Sequence, residues 1–192
     1  MPTKIHDINC PGCGAPQDVS TRICKFCGAP VIITTFNAVS DLSLPLINRF
    51  TSSYQKSLSE NANIPELHVS VALCYWKLKF YDKALENFQK AIEQDFDNAD
   101  LYFYAAVCAL SGKLPFYAKK PEIAMTEKYL EAAISIEPKG IYYFLWANIS
   151  FEYYARKNLL TPQPHDRLHA QAMQMGVSEA DKLELKRMLG GS

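Results

Sequence analysis

The chain of 192 residues carries 20 Lys and Arg against 20 Asp and Glu, and 48% of its residues are hydrophobic. This length and apolar content are enough for one or two domains with a buried core. The balanced charge argues against a protein whose main task is to bind nucleic acid, because neutralisation of phosphates by Lys and Arg supplies most of that affinity.

The first residues, MPTKIHDINC, contain no apolar signal-peptide core. No segment reaches the roughly 20 apolar residues that a membrane-spanning helix requires. We therefore expect a protein without a membrane span, located in the cytoplasm. The cysteines agree with this expectation, since four of the six have metal-ligand spacing and a reducing compartment favours zinc over disulfides.

Residues 1–36 contain the metal-ligand pattern. Two Cys-x-x-Cys pairs, CPGCG and CKFCG, are separated by ten residues, and this spacing lets both thiolates of a pair bind one tetrahedral ion. The four predicted ligands are Cys10, Cys13, Cys24 and Cys27. The pattern resembles the short zinc ribbons of adaptor proteins over residues 8–35, and with four thiolates it implies one structural Zn²⁺. A redox pair is disfavoured, because a redox Cys-x-x-Cys opens a helix within a βαβ unit.

Each Cys-x-x-Cys pair is followed by a glycine, Gly14 or Gly28. We expect a positive φ at both, since a knuckle turn requires a backbone conformation that glycine adopts without steric cost. A domain this small cannot fold on its apolar core alone, so metal binding should supply its folding free energy. We expect Cys13→Ser or Cys24→Ser to unfold residues 1–35 and to leave the helical part intact.

Residues 37–43 are predicted to be a linker, and residues 44–160 have a helical pattern interrupted by joints rich in Pro, Gly and Asn. Residues 65–98 resemble a tetratricopeptide repeat (TPR), which is a pair of packed helices. The resemblance rests on small and aromatic residues at helix contacts: Ala72, Tyr75, Tyr81, Ala84, Phe88 and Ala91. It implies a mainly α fold, a TPR-like α-α repeat array joined to a small N-terminal β ribbon.

The repeat pattern recurs on both sides of this segment. A backward shift of one period, about 34 residues, predicts a capping helix at about 45–60, and a forward shift places Ala106 at the position of Ala72. The next helix matches only after an eight-residue insertion within residues 114–122. A last array helix is predicted over residues 141–157.

Residues 161–192 are predicted to form C-terminal capping helices or a tail. Ser178 and Asp181 have the spacing of a helix capping box, and apolar positions follow them. Two alternatives remain open for the groove of the array. The C-terminal helices fill it, or it is free to bind a partner peptide.

In the TPR family, first-helix residues line a concave groove. Carried over to this sequence, the resemblance implies nine partner-binding positions: Glu66, Val69, Leu73, Trp76, Lys77, Asp100, Phe103, Val107 and Leu110. Repeats that bind chaperone C-terminal carboxylates carry Lys and Asn where this chain has Val69 and Leu73, so that ligand class is not expected. An apolar groove fits an apolar helix or peptide of a protein partner.

Features of an enzyme are missing from the sequence. It has no Gly-rich phosphate loop, no nucleophile in a recognised turn and no coherent pair of carboxylates, so we expect a non-enzymatic protein. His165 and His169 have a spacing that can bind zinc on one helix face. They lack a third ligand and the glutamate of metalloproteases, and we interpret them as a solvated helix start.

The leading hypothesis is an adaptor in which the repeats bind a protein partner and the ribbon makes a second contact. The alternative is binding of nucleic acid, or of a transcription or translation complex, through the ribbon, with the repeats as a tether. Arg22, Lys25 and Phe26 on the second knuckle would then neutralise phosphates and stack on bases. Arg22 and Lys25 also have a plainer role, since they offset the negative charge of a four-thiolate site.

Overall fold

The computed structural model describes residues 7–60 and 63–190, so the first six residues of the predicted ribbon lie outside the described part. The chain divides into two compact units, Met1–Phe96 and Asp97–Ser192. The first contains the ribbon and four helices, and the second contains five further helices among its described residues. No helix in the described ranges is both long and apolar enough to cross a membrane.

The ribbon begins with two short antiparallel strands, β1 (Asp7–Asn9) and β2 (Pro16–Asp18). Ile8 pairs with Gln17 in this sheet, and an isolated antiparallel bridge joins Ile23 to Pro30 in the second half of the ribbon. β1 packs against the first long helix of the unit, so the ribbon is in contact with the helical part from its start.

The helices of the first unit are α1 (Phe36–Ser40), α2 (Leu44–Glu60), α3 (Pro65–Lys77) and α4 (Tyr81–Gln94). The residues predicted to be a linker, 37–43, therefore include most of a short helix. Thr35 caps α1, accepting the backbone N–H of Ala38 at 3.3 Å. α3 starts with a proline, whose missing N–H would have no partner in the first turn of a helix anyway.

The α3–α4 hairpin follows the TPR pattern that the sequence predicted. Ala72 on α3 and Ala84 and Ala91 on α4 are completely buried, together with Phe88. Small side chains let the two helix backbones approach closely, and the aromatic ring fills the space beside them. On α2, Phe50 and the other buried residues form one stripe, as a helix with one face on a core requires.

The α3–α4 turn is made by a residue in the left-handed conformation, Lys79, with φ 63°. Lys79 N–H donates to Trp76 O at 2.9 Å and Phe80 N–H donates to Tyr75 O at 2.9 Å. This is the Schellman motif, and the ring contact between Tyr75 and Phe80 at 6.2 Å completes it. Glycine usually occupies such a position, so Lys79 holds a strained backbone.

The second unit contains α5 (Ala99–Ala109), α6 (Lys120–Ile136) and α7 (Gly140–Ile149). The predicted insertion before α6 includes a 3₁₀ turn, Pro115–Tyr117. Beyond α7 the chain continues through a π-helical segment, Ser150–Tyr154, and a 3₁₀ turn, to end in the left-handed Asn158.

The C-terminal helices are α8 (His165–Gln174) and α9 (Glu179–Met188), and both pack against α7. Ser178 begins α9 with the predicted capping box, because its hydroxyl accepts the N–H of Asp181 at 3.1 Å and the Asp181 carboxylate accepts the N–H of Ser178 at 2.8 Å. Gly140 allows the close packing of α7 on the α8–α9 joint, since a Cβ there would lie 2.7 Å from Val177 N.

Candidate functional site: a four-cysteine centre and a helical groove

The two knuckles of the ribbon have the same backbone hydrogen bonds. Cys10 N–H donates to Ala15 O at 2.9 Å, and Cys24 N–H donates to Ala29 O at 2.8 Å. In each knuckle the glycine after the second cysteine closes the turn on the first cysteine's carbonyl, at 2.8 Å and 3.0 Å. Gly14 has φ 78° and Gly28 has φ 72°, as the sequence predicted. The repeated geometry brings the sulfur atoms of all four cysteines into one cluster.

The four cysteine sulfurs lie within 4.8 Å of one another and could hold a metal ion. The Sγ atoms of Cys10 and Cys27 are 3.6 Å apart, and those of Cys13 and Cys24 are 3.7 Å apart. Zn–S bonds of about 2.3 Å in a tetrahedron place the sulfurs roughly 3.8 Å apart, so the donor set fits a tetrahedral thiolate-binding ion. Gly12 N–H, 3.3 Å from Cys10 Sγ, adds a hydrogen bond that a thiolate can accept.

The two knuckles differ at the residue before the second cysteine. In the first this residue is Gly12, where a Cβ would lie 2.7 Å from Ala29 Cβ and 3.1 Å from Cys27 Sγ. In the second it is Phe26, whose side chain is 75% exposed. Only the first knuckle packs tightly at this position, so the fold does not require an aromatic side chain in the second.

The second knuckle presents a mixed surface to solvent. Ile23 is 58% exposed beside the buried ligand Cys24, and Arg22 and Lys25 are exposed as well. Together with Phe26 these side chains offer apolar area and two positive charges. The three residues that the sequence predicted as contacts on this knuckle, Arg22, Lys25 and Phe26, are therefore all accessible.

The predicted groove face of α3 is in contact with the chain's own residues 31–40. The hydroxyl of Ser70 accepts Ile33 N–H at 3.0 Å and lies 2.9 Å from Ile33 O. Ser70 is one helical turn from Glu66 and lies at the edge of the predicted face, which is centred on Leu73. Val31 and Ile33 are completely buried, so the end of the ribbon is part of the core of this unit.

Two further contacts fix the same segment along α3. Phe36 packs edge-on against Trp76, with ring centroids 4.4 Å apart. The Lys77 ammonium donates to the carbonyl of Ser40. Trp76 Nε1 is buried with no acceptor among the described residues. The end of the ribbon is thus packed on α3, and the independent unfolding of residues 1–35 expected from the sequence stays a prediction.

The predicted groove positions of α3 therefore differ in accessibility. Val69 is 6% exposed and Leu73 is completely buried, so these side chains are not available to a partner in this conformation. Glu66 is exposed, and Trp76 and Lys77 are half-buried by residues 31–40. Residues 36–40 contact Trp76 and Lys77, two of the positions that the TPR resemblance assigns to peptide binding.

The predicted positions of α5 are also engaged within their own unit. Phe103, Val107 and Leu110 are buried, and the Phe103 ring lies 4.8 Å from that of Tyr142. The Asp100 carboxylate accepts from Lys139 Nζ at 2.9 Å and from the Tyr142 hydroxyl. Burial, and then this carboxylate, raise the pKa of the Tyr142 hydroxyl above its usual range. Asp100 thus joins α5 to the start of α7, and about half of its side chain stays exposed.

The two histidines of α8 are placed for packing. Their ring centroids are 5.7 Å apart, and His165 Nδ1 donates to Ala147 O at 3.0 Å. Within residues 7–60 and 63–190, the group of side chains arranged to hold a metal is the cysteine cluster. The remaining cysteines, Cys74 and Cys108, are buried on α3 and α5, and burial raises the pKa of the Cys74 thiol to about 12.

Sequence reasoning missed the contacts of Ser70 and the role of residues 31–40. A signal was present, because Ser70 is the single serine or threonine within the apolar stretch 69–75 of a buried helix. A buried hydroxyl needs a hydrogen-bond partner, and the helix's own carbonyl satisfies only part of its capacity. Nothing in the sequence identified which segment supplies the rest.

No protein-family model matches the chain, and no curated protein matches it. Among solved structures, the protein described as "MamA MSR-1 C2", of the tetratricopeptide type, is similar with a TM-score of 0.51 and 14% sequence identity. The similarity covers 73% of this chain and 76% of that one. At this identity it shows the fold alone: a mainly α, TPR-like helical array, here preceded by a small ribbon with a four-cysteine cluster.

Proposed function

We propose that this chain is a non-enzymatic adaptor whose TPR-like array binds a protein partner, with a zinc ribbon as a second contact. The observation that carries the proposal is the combination of a TPR-like helical fold with a metal knuckle that exposes an aromatic side chain. TPR-like arrays present extended helical surfaces, which are suited to binding protein segments. The cluster of four thiols leaves no ligand position open for catalysis.

Zinc is the metal that this donor set favours. Four thiolates in a tetrahedral arrangement are typical of structural zinc sites, and the two sulfur pairs are already spaced for it. The role of the ion is to fold the knuckles, and through residues 31–40 to fix the segment that lies on α3. The metal therefore supports both contact surfaces.

The exposed members of the predicted groove set are the partner contacts in this proposal. Glu66 on α3 and Asp100 on α5 have accessible carboxylates, and Trp76 and Lys77 have accessible edges. The five apolar members are buried within their own units, Val69 and Leu73 in the first and Phe103, Val107 and Leu110 in the second. A partner that needs the apolar groove of α3 itself would have to displace residues 31–40.

The proposal is tested by site-specific photo-crosslinking in the native host. A photoreactive residue replaces Glu66, or Phe26, or the control Glu93, which is exposed on α4 and outside the predicted surfaces. Each of the three variants is then purified with its crosslinked partners, with and without nuclease treatment. We expect one protein to be crosslinked from Glu66 and from Phe26, independently of nuclease, and not from Glu93.

Equal crosslinking from all three positions, or none from Glu66, contradicts the array as a specific binding surface. The metal is tested separately by elemental analysis of the purified chain. One zinc per chain is expected, and Cys27→Ser, at an exposed ligand, should lose it. A different bound metal would contradict the zinc assignment and leave the adaptor role unaffected.

A second candidate function is favoured by the exposure of Phe26, Arg22 and Lys25 on one knuckle. An aromatic face with neighbouring cations is the arrangement that stacks on and neutralises single-stranded nucleic acid. Under this function, retention on heparin should fall when Phe26→Ala is combined with Lys25→Ala. Partner capture that disappears with nuclease would favour this function over the adaptor.

A further inference from the structure

The second unit contains a cavity outside the repeat helices' predicted groove positions. Its volume is about 390 Å³, and it is enclosed by the insertion before α6, by α7 with its π-helical extension, and by α9. The volume falls in the range of roughly 300–1,000 Å³ that is typical of ligand pockets. The cavity combines the insertion and the C-terminal helix, which the repeat pattern does not explain, with residues of α7 and its extension.

The floor and wall of the cavity are apolar. Leu114 from the insertion is 46% exposed at its edge, Phe144 from α7 forms one side, and Leu185 and Leu189 from α9 form the base. An exposed leucine beside buried ones leaves apolar area in contact with water, and covering that area is favourable by about 25 cal/mol per Å². A ligand that covers it needs an apolar side chain.

The rim of the cavity carries an excess of positive charge. Arg156, Lys182 and Lys186 line it, against the single carboxylate of Glu152. Arg156 pairs with Glu152, and Lys182 lies 2.6 Å from Glu179, whose side chain is 88% exposed. Lys186 is exposed at the rim. The pair of Glu179 and Lys182 is accessible to water, so it contributes little and a ligand carboxylate can replace it.

We propose that this cavity binds a short peptide of the partner protein in which adjacent apolar side chains are flanked by carboxylates. The apolar side chains of the peptide pack on Leu114 and Phe144, and Lys182 and Lys186 pair with the acidic flanks. A nucleic acid would satisfy the cations and leave the exposed edge at Leu114 uncovered. The inference rests on the proposed adaptor function, because it names the chemistry of a partner peptide that binds outside the predicted groove positions.

The test is a titration of the isotope-labelled full chain, followed by amide NMR. The probes are an octapeptide with Asp-Leu-Leu-Asp in a Gly-Ser frame, the same peptide with Lys in place of Asp, and dodecanoate. The variants are Lys186→Glu at the rim and Lys128→Glu, an exposed α6 lysine that does not line the cavity. A third variant, Leu114→Ser, removes the apolar edge.

We expect the acidic peptide to shift the amides of the cavity residues and to bind at least about tenfold more weakly to Lys186→Glu, with Lys128→Glu unchanged. Lys186→Glu should in turn gain affinity for the Lys peptide. Equal binding of both peptides, shifts confined to other residues, or saturation by dodecanoate without peptide binding overturns the inference. If the acidic peptide does not bind but nuclease-resistant crosslinks still form from Glu66, only the cavity proposal is rejected. If the peptide does not bind and no such crosslinks form, the adaptor function is rejected as well.

Discussion

The hydroxyl of Ser70 is bonded to both backbone groups of Ile33, accepting the N–H at 3.0 Å and lying 2.9 Å from the carbonyl oxygen. Its proton is shared with Glu66 O, also at 2.9 Å. Ile33 belongs to the end of the ribbon, and Ser70 is in the middle of a helix 37 residues later. One side chain therefore joins the four-cysteine ribbon to the helical part of this unit.

Replacement of this hydroxyl should destabilise the first unit. Ser70→Ala leaves Ile33 N–H and C=O buried without their partner, and an unsatisfied buried group costs about 1–3 kcal/mol. We expect a loss of that size in the free energy of unfolding, measured by urea denaturation. Ser52→Ala is the matched control, because that hydroxyl is exposed and bonds to the i−4 carbonyl, Asn48 O, in the same way. Its effect should stay within about 0.5 kcal/mol.

Removal of the metal should also loosen the packing of residues 31–40 on α3. Without the ion the knuckles lose their folding free energy, and residues 31–40 are then held only by their contacts with the helix. Chelation should therefore increase hydrogen exchange at Ile33 and along α3, measured by mass spectrometry, together with exchange in the ribbon. The buried thiols of Cys74 and Cys108 should stay unreactive, so four reactive thiols per chain report the loss of metal.

Protection of α3 that is unchanged after chelation would show that residues 31–40 keep their place without the ion. That result would support the expectation from the sequence, in which the ribbon unfolds alone. Cys27→Ser provides the same comparison without a chelator, since its ligand side chain is exposed and removes no core volume.

Replacement of the left-handed lysine should stabilise the protein. Lys79 is exposed and has φ 63°, which costs a non-glycine residue about 1–2 kcal/mol. Lys79→Gly removes this strain and adds some chain entropy to the unfolded state, so we expect a net gain of about 0.5–1 kcal/mol by thermal denaturation. Lys56→Gly, at an exposed position inside α2, should lose about 1 kcal/mol. Changes in stability of opposite sign for the two variants would distinguish relief of backbone strain at Lys79 from a general effect of introducing glycine.

The Glu127 carboxyl should give the second unit a characteristic pH dependence. Burial raises its pKa, and hydrogen bonds from the Tyr154 hydroxyl at 2.9 Å and Trp146 Nε1 at 3.3 Å partly oppose this. Because the pKa of this carboxyl is higher in the folded state, its protonation stabilises the folded protein. This stabilisation is fully present below the pKa of the unfolded state, about 4.3, and is lost as the pH rises through the pKa of the folded state. Glu127→Gln should therefore gain stability relative to wild type as the pH increases.

Urea denaturation at several pH values between about 4 and 7 measures this difference. Glu93→Gln, an exposed carboxylate on α4, controls for the change in net charge. A difference between Glu127→Gln and wild type that is independent of pH would show that the carboxyl is not perturbed by its surroundings.

The order of the helices was predictable from the sequence because local patterns determine it. Small residues such as Ala72 and Ala84 recur at TPR spacing, Pro65 and Ser178 begin helices, and the extra residues before α6 interrupt the period where the structure has a 3₁₀ turn. Each of these signals depends on neighbours within a few residues. The cysteine cluster was predictable for the same reason, since its geometry follows from two short turns.

The contacts that decide which groove positions are accessible were not predictable in this way. Ser70 with Ile33, Phe36 with Trp76 and Lys77 with Ser40 join residues 37 to 40 positions apart. Residues 37–43 contain polar residues typical of a linker, and their helix is too short to give a periodic signal. The same holds for the cavity of the second unit, whose walls come from three separate segments.

The position of residues 31–40 on α3 has a consequence for the lifetime of the chain in a cell. Phe36 and Val39 are buried in this segment, and a chain without metal would present them to proteases and chaperones. Marginally unfolded chains are continuously removed, so the steady-state amount of the protein would follow the supply of its metal. A protein built in this way would become scarce when its metal is scarce, without a separate sensor.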